Sequence, residues 1–154
     1  MIAAARLAQA GADLAEIIQE TNKAIRHVHM FGMFQTMKYL ARSGRVNKSI
    51  AAASEFLHVM PLLTFQEGEI IRAGLVRTIS KGMTRVYDFV KTNLPISELT
   101  IVHSAVIDQA IELRNRLSDF IAVEKIAIAE LGAGLGVHGG PGVLLVAVRC
   151  SNLK

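Results

Sequence analysis

The residues with the most chemical potential lie between Gly132 and Gly142, where His138 sits among closely spaced glycines. Glycine lets a backbone come close to a ligand and leaves N–H groups free to donate. An imidazole can donate a hydrogen bond in either protonation state, which suits an anionic or carbonyl group. The same composition also makes a tight connection between two core strands, with the glycines at positive φ and His138 exposed. Both readings stand on composition alone. Gly134-Leu135-Gly136-Val137-His138-Gly139 matches the dinucleotide fingerprint by letter. That fingerprint needs a strand turning into an amphipathic helix whose N-terminus holds the pyrophosphate. Pro141, Gly142 and an apolar, β-branched run follow instead, so nucleotide binding is not expected.

The other polar residues offer less. His27 and His29 have no carboxylate or cysteine at a metal-ligand spacing and read as a solvated or strand-flanking pair. His103 falls in a β-like segment and reads as a hydrogen-bonded structural residue. Glu67 and Glu69 flank Gly68 at a hairpin tip, where carboxylates are usually solvated. No Gly-x-Ser-x-Gly elbow is present, and Cys150 carries no catalytic role. His138 lacks a partner residue for acid–base work, so the chain is read as a non-enzyme with no metal and no cofactor. Arg42 and Arg45 bracket Ser43-Gly44, and Arg77 precedes Thr78. Each is a surface arginine unless it borders a pocket mouth, where it would pair with an acidic head group.

The elements that must position these residues follow from hydrophobic spacing. Residues up to Gly11 read as a helix. Asp13 is the N-cap of a second, with Leu14, Ile17, Ile18, Thr21, Ile25 and Val28 along one face. His29 to Phe34 reads as a strand, and Thr36 to Arg42 as a helix ending at Ser43-Gly44. Asn47 caps a further helix with Ile50, Ala53, Phe56 and Leu57 on its apolar face. Pro61 to Phe65 and Glu69 to Val76 form a hairpin turning at Glu67-Gly68. Ile79, Met83, Val86, Tyr87 and Val90 give a helix that ends before Pro95, and Leu99 to Ser104 gives a strand. Ile107, Ala110, Ile111, Leu117 and Ile121 form another helical stripe. Ile126 to Leu131 and Val143 to Arg149 are strands, with the glycine-rich run between them as a loop. Met30, Met33 and Met37 are core fillers or, with Phe31 and Phe34, the lining of one apolar pocket. The expected fold is mixed α and β, a mixed β-sheet packed with helices.

The 154 residues suffice for a substantial core, and 51% apolar against 19% charged residues excludes disorder. A mean hydropathy of +0.37 raises the membrane question. The longest apolar run, Val143 to Val148, is far short of the roughly 18 residues a spanning helix needs. One cysteine excludes an internal disulfide, and Arg6, Gln9, Gly11 and Asp13 break up any leader-like stretch, so a cytoplasmic protein is expected. The net charge of +4 is spread along the chain, which argues against nucleic acid as a partner.

Four segments resemble, in order, motifs of the DegV family of bacterial fatty-acid-binding proteins. TMKYLARSGRV, Thr36 to Val46, resembles its Tyr-Leu, basic, Gly-Arg-Ile segment. MPLLTFQEGEI, Met60 to Ile70, resembles its Lys-Pro-Ile-Leu strand and Gly-containing turn, with Met60 where the family commonly has lysine. Val76-Arg77-Thr78 and Lys81 resemble the Arg-Thr and Lys that follow. LGAGLGVHGGPGVLLVAV, Leu131 to Val148, resembles the closing Gly…His-x-Gly-Pro-Gly signature.

The resemblance covers only the C-terminal part of the family's architecture. It implies that residues 1–28 are the last helices of the family's N-terminal domain and residues 29–154 its C-terminal domain. The N-terminal domain, with the Ser/Thr residues that help hold the ligand, has no counterpart in this sequence. A fragment, a truncated gene or one subunit of a split protein would each have that form. The implied ligand is a long-chain fatty acid such as palmitate, and the implied partner a fatty-acid kinase subunit. His138 would help bind the carboxylate, Gly139, Gly140, Pro141 and Gly142 would shape the loop, and Arg77 would lie near the pocket mouth for partner or membrane contact. Burying a dozen methylenes at about 0.8 kcal/mol each gives roughly 10 kcal/mol of gross driving force. The carboxylate needs several donors to offset its desolvation, so weak binding, or none, is expected of this chain alone. The rival expectation is a non-catalytic module that associates with itself or another chain.

Overall fold

The computed structural model describes residues 2–44, 46 and 57–151. The helix expected from Asn47 falls on residues 47–56, outside the described residues, as does Arg45. Helices α1 (Ile2–Gln9) and α2 (Leu14–His27) form an N-terminal hairpin, followed by β1 (Val28–Phe34) and α3 (Lys38–Arg42). Then come β2 (Met60–Gln66), β3 (Glu69–Val76), α4 (Ile79–Thr92), β4 (Ile96–Ser104), α5 (Ile107–Leu117) and β5 (Ile126–Glu130). Helix α6 (Ala133–Gly139) and β6 (Val143–Cys150) complete the chain. The six strands form one mixed sheet in the order β3-β2-β1-β6-β4-β5. Neighbours are antiparallel except for the β4–β5 pair, which is parallel.

Local signals start the helices, at Asp13 as the sequence predicts and at Thr78, which the sequence reading did not assign. The Asp13 carboxylate accepts from the Glu16 N–H at 2.8 Å, and the Glu16 carboxylate accepts from the Asp13 N–H at 3.1 Å. This reciprocal pair satisfies two donors that a helix start leaves open. The Thr78 hydroxyl caps α4 by accepting from the Lys81 N–H at 3.2 Å. One face of the sheet is covered by α4 and α5: Met83, Val86, Val90, Ala110, Leu113 and Leu117 pack on Phe31, Met33, Leu62, Leu99, Ile101, Leu144, Val146 and Val148. Successive strand residues face opposite sides, so Met33 belongs to this core while Phe34 and Met37 pack with Leu40, Ala41 and Leu63 on the other face. The expected pocket of Met30, Met33 and Met37 with Phe31 and Phe34 is therefore not one pocket; the sheet divides it. The α5 stripe also shifts. Leu113 is buried, whereas Ile107 and Ile111 are exposed and Ile121 lies beyond the helix end.

The second face carries α1 and α2 at one end and α3 and α6 at the other. α2 buries none of its residues fully, and Leu14, Ile18 and Ile25 are 72%, 51% and 68% exposed. Ile17, Thr21 and Ala24 are its half-buried side. Two ion pairs tether the hairpin to the sheet, Arg6–Glu98 at 3.3 Å and a shorter one between Arg149 of β6 and Glu20 of α2. The hydrogen bond from Arg149, reinforced by its charge, holds the Glu20 carboxyl below its ordinary value. A group with a depressed folded value contributes stability that is complete above the ordinary glutamate range and is lost as pH falls through the depressed value. An NMR titration should therefore find Glu20 titrating below an ordinary glutamate and returning to that range in Arg149→Ala. An unshifted Glu20 in the unmodified protein would show that the tether is not formed in solution.

Candidate functional site

β5 hands the chain directly to the glycine-rich segment. The Leu131 N–H donates to the His103 carbonyl at 2.7 Å, continuing the β4–β5 ladder by one residue. The segment expected as a loop is then largely helical, since Ala133–Gly139 form α6. The glycines of the apparent dinucleotide fingerprint lie inside this helix rather than in a turn before it, which removes the geometry the fingerprint requires. Residues 140–142 make the actual turn. The Gly140 N–H donates to the Gly136 carbonyl and the Gly142 N–H to the Ser104 carbonyl, each at 2.8 Å, and the Gln35 N–H donates to the Gly142 carbonyl at 3.2 Å. The turn thus fastens the ends of β1 and β4 to the start of β6.

Two of its glycines cannot be replaced without a clash. Gly140 has φ 70° and ψ −172°, a backbone state close to glycine-only, and the Tyr39 ring of α3 occupies the space a Cβ would take. Gly142 has φ 82°, and a Cβ there would lie 2.7 Å from the Gln35 side chain. Gly139, Gly140 and Gly142 are buried and Pro141 is exposed. The close seat of Tyr39 on Gly140 sets α3 beside α6, so that residues near the end of α3 face His138.

His138 lies where two clefts meet. One, of about 370 Å³, is lined by Tyr39, Arg42, Ser43, Val137 and His138. The other, of about 620 Å³, is lined by Leu40, Phe65, Gly68, Glu69, Ile70, Gly134, Leu135 and His138, so that apolar side chains share its walls with the Glu69 carboxylate. The His138 ring is half-buried, and its Nδ1 is buried without a hydrogen-bond partner. Nδ1 is thus unsatisfied in either tautomer, which leaves Nε2 as the ring nitrogen that can face a ligand. Ser43 donates its hydroxyl hydrogen to the Leu40 carbonyl at 3.1 Å, which leaves its oxygen as an acceptor.

The structure brings His138 and Gly139 to Gly142 together as one helix-and-turn unit. Arg77 borders a separate cleft of about 300 Å³ with Gln35, Thr36, Met37, His58, Val59 and Met60. Gln35 connects the two places, lining the Arg77 cleft and packing against Gly142. Tyr39, Arg42 and Ser43 are the site residues that sequence reasoning did not assign. The Arg42-Ser43-Gly44 bracket was the available signal, but nothing in the sequence aimed it at His138. His103, expected to be hydrogen-bonded, is buried in β4 with its Nδ1 lacking a partner among the described residues. Burial pushes the Cys150 thiol up, and it donates to the Asn93 carbonyl at 3.3 Å, which makes it a poor nucleophile. Among the described residues no three His, Cys, Asp or Glu side chains could hold a metal ion, and no helix is long and apolar enough to cross a membrane.

Comparison with known proteins agrees with the motif resemblance. A family model described as uncharacterised protein, DegV family, matches residues 1–149. A DegV domain-containing protein of Streptomyces coelicolor is 32% identical over 151 residues, covering 96% of this chain and 53% of the relative. The crystal structure of a fatty acid binding DegV family protein from Streptococcus agalactiae superposes with a TM-score of 0.82 at 25% identity, over 97% of this chain and 54% of the other. A DegV family protein from Thermus thermophilus, described for its fatty acid binding, gives a TM-score of 0.82 at 25% identity, over 96% of this chain and 55% of the other. The chain spans about half the length of the curated relatives it matches.

Proposed function

We propose that this chain, which belongs to the DegV family, binds a long-chain fatty acid such as palmitate, with the carboxylate at His138 and the acyl chain along Leu40, Phe65, Ile70 and Leu135 of the larger neighbouring cleft. The observation that carries this reading is the position of His138 at the junction of two clefts, one lined by Arg42 and the other by the apolar side chains of Leu40, Phe65, Ile70 and Leu135 beside Glu69. Phe65, Ile70, Leu40 and Leu135 supply apolar surface, and each methylene covered contributes about 0.8 kcal/mol. Nε2–H of His138 donates to the carboxylate, and Gly140 and Gly142 keep the ring's helix in place. The role is read as carriage: among the described residues the cleft around His138 holds Ser43, whose hydroxyl donates to the Leu40 carbonyl rather than to a base. Binding is weaker than in relatives twice as long, because both clefts are open to solvent and the head group meets few donors.

Residues 1–28 are read as the end of a preceding domain and residues 29–154 as the ligand-bearing domain, with such an N-terminal domain, a second copy or an acyl kinase subunit as protein partners. Exposed Arg77, on its own cleft, is suited to such a partner rather than to the head group. The test is calorimetric titration of the purified chain with palmitate. Saturable one-to-one binding is expected, and its absence would reject the reading.

The second reading, a self-associating module, draws on Leu14, Ile18 and Ile25, whose exposure leaves an apolar stripe on α2 uncovered. Sedimentation velocity on the lipid-free chain separates the two. A dimer that forms without lipid and never binds palmitate would favour self-association.

A further inference from the structure

The cleft on the α3 side of His138 carries one cation, and we infer that Arg42 is the residue that selects an anionic head group over an uncharged one. The inference rests on the fatty-acid reading above and adds a residue to it. Three observations support it. Arg42 and His138 line the same cleft, together with Tyr39 and Ser43. Tyr39 is seated on Gly140, where no side chain fits, so the wall bearing Arg42 is fixed relative to the turn that follows His138. Neither ion pair formed among the described residues, Arg6–Glu98 or Arg149–Glu20, uses Arg42.

A guanidinium and an imidazole Nε2–H on opposite walls can share one carboxylate, each donating to a separate oxygen. The Ser43 hydroxyl hydrogen is already committed to the Leu40 carbonyl, so the cation is the stronger remaining donor on that wall. His138 can donate equally well to an alcohol, an ester or a carboxylate. Arg42 cannot gain charge attraction from the first two, which makes it the discriminating group. Because Arg42 is exposed, its attraction is screened by salt.

The test is direct calorimetric titration of the full chain with laurate and with dodecanol, in the unmodified protein, Arg42→Gln and Arg42→Lys, at low and high salt. Circular dichroism confirms that each variant is folded; an exposed side chain is not needed for the core. Arg42→Gln should weaken laurate about tenfold and leave dodecanol within about twofold. It should also flatten the salt dependence, and Arg42→Lys should restore part of the laurate affinity. Equal weakening of both ligands, or of neither, would overturn the role of Arg42 while leaving the fatty-acid reading intact. Failure of the unmodified chain to bind either ligand would overturn both.

Discussion

His138→Ala should lower the affinity for palmitate by about 10- to 100-fold, with little change in thermal stability. The ring is half-buried at the junction of two clefts and belongs to neither apolar cluster of the core, so its removal opens space without unpacking the fold. What is lost is the donor to the carboxylate. A charge-assisted hydrogen bond contributes about 1.5–3 kcal/mol, which sets the range of the effect. His138→Gln, which keeps a side-chain N–H donor, should fall between the two. Calorimetric titration of the three proteins, with a melting curve for each, distinguishes this from a general loss of structure. Unchanged palmitate affinity in His138→Ala would remove the ring from the site.

Gly140→Ala should destabilise the fold by about 2–6 kcal/mol. Two costs add at this position. The backbone state at φ 70° and ψ −172° is close to glycine-only, and forcing another residue into it costs about 1–3 kcal/mol. The new Cβ would also enter the Tyr39 ring, and overpacking of that kind costs about 1–3 kcal/mol more. Displacing Tyr39 would move α3 away from α6, so palmitate binding should weaken along with stability. Urea unfolding followed by far-ultraviolet circular dichroism measures the first, and calorimetry on the folded fraction the second. A change below about 0.5 kcal/mol would mean that the turn relaxes freely and does not hold the two walls together.

Periodicity made most of the framework legible. Asp13 starts a helix where the sequence places a cap, and the Glu67-Gly68 hairpin and the strand at Val143 form as predicted. The misreadings have physical causes. The Leu14, Ile18 and Ile25 stripe follows helical spacing, but periodicity reports an apolar face and not whether anything covers it. On α5 the same limit hid Leu113 and promoted Ile107 and Ile111. α6 escaped notice because its glycines disfavour helix, and tertiary contacts overrode that propensity. Val143, Leu131 and Phe34 close in on the space a Gly139 Cβ would take.

Of the candidate site, the glycine-rich turn and His138 were readable as chemistry. The opposite wall was not, because Arg42 and Tyr39 are distant in sequence and meet His138 only through the seat of Tyr39 on Gly140. Arg77 shows the converse: its motif places it in the same family signature, while the fold gives it a separate cleft reached through Gln35.

The central claim is that one ligand spans the two clefts that meet at His138. Native mass spectrometry of the purified chain with added palmitate tests it most directly. The account predicts a single bound palmitate per chain that is lost in His138→Ala at the same ligand concentration. A chain that carries no palmitate, or one that carries it equally well without the His138 ring, would contradict it.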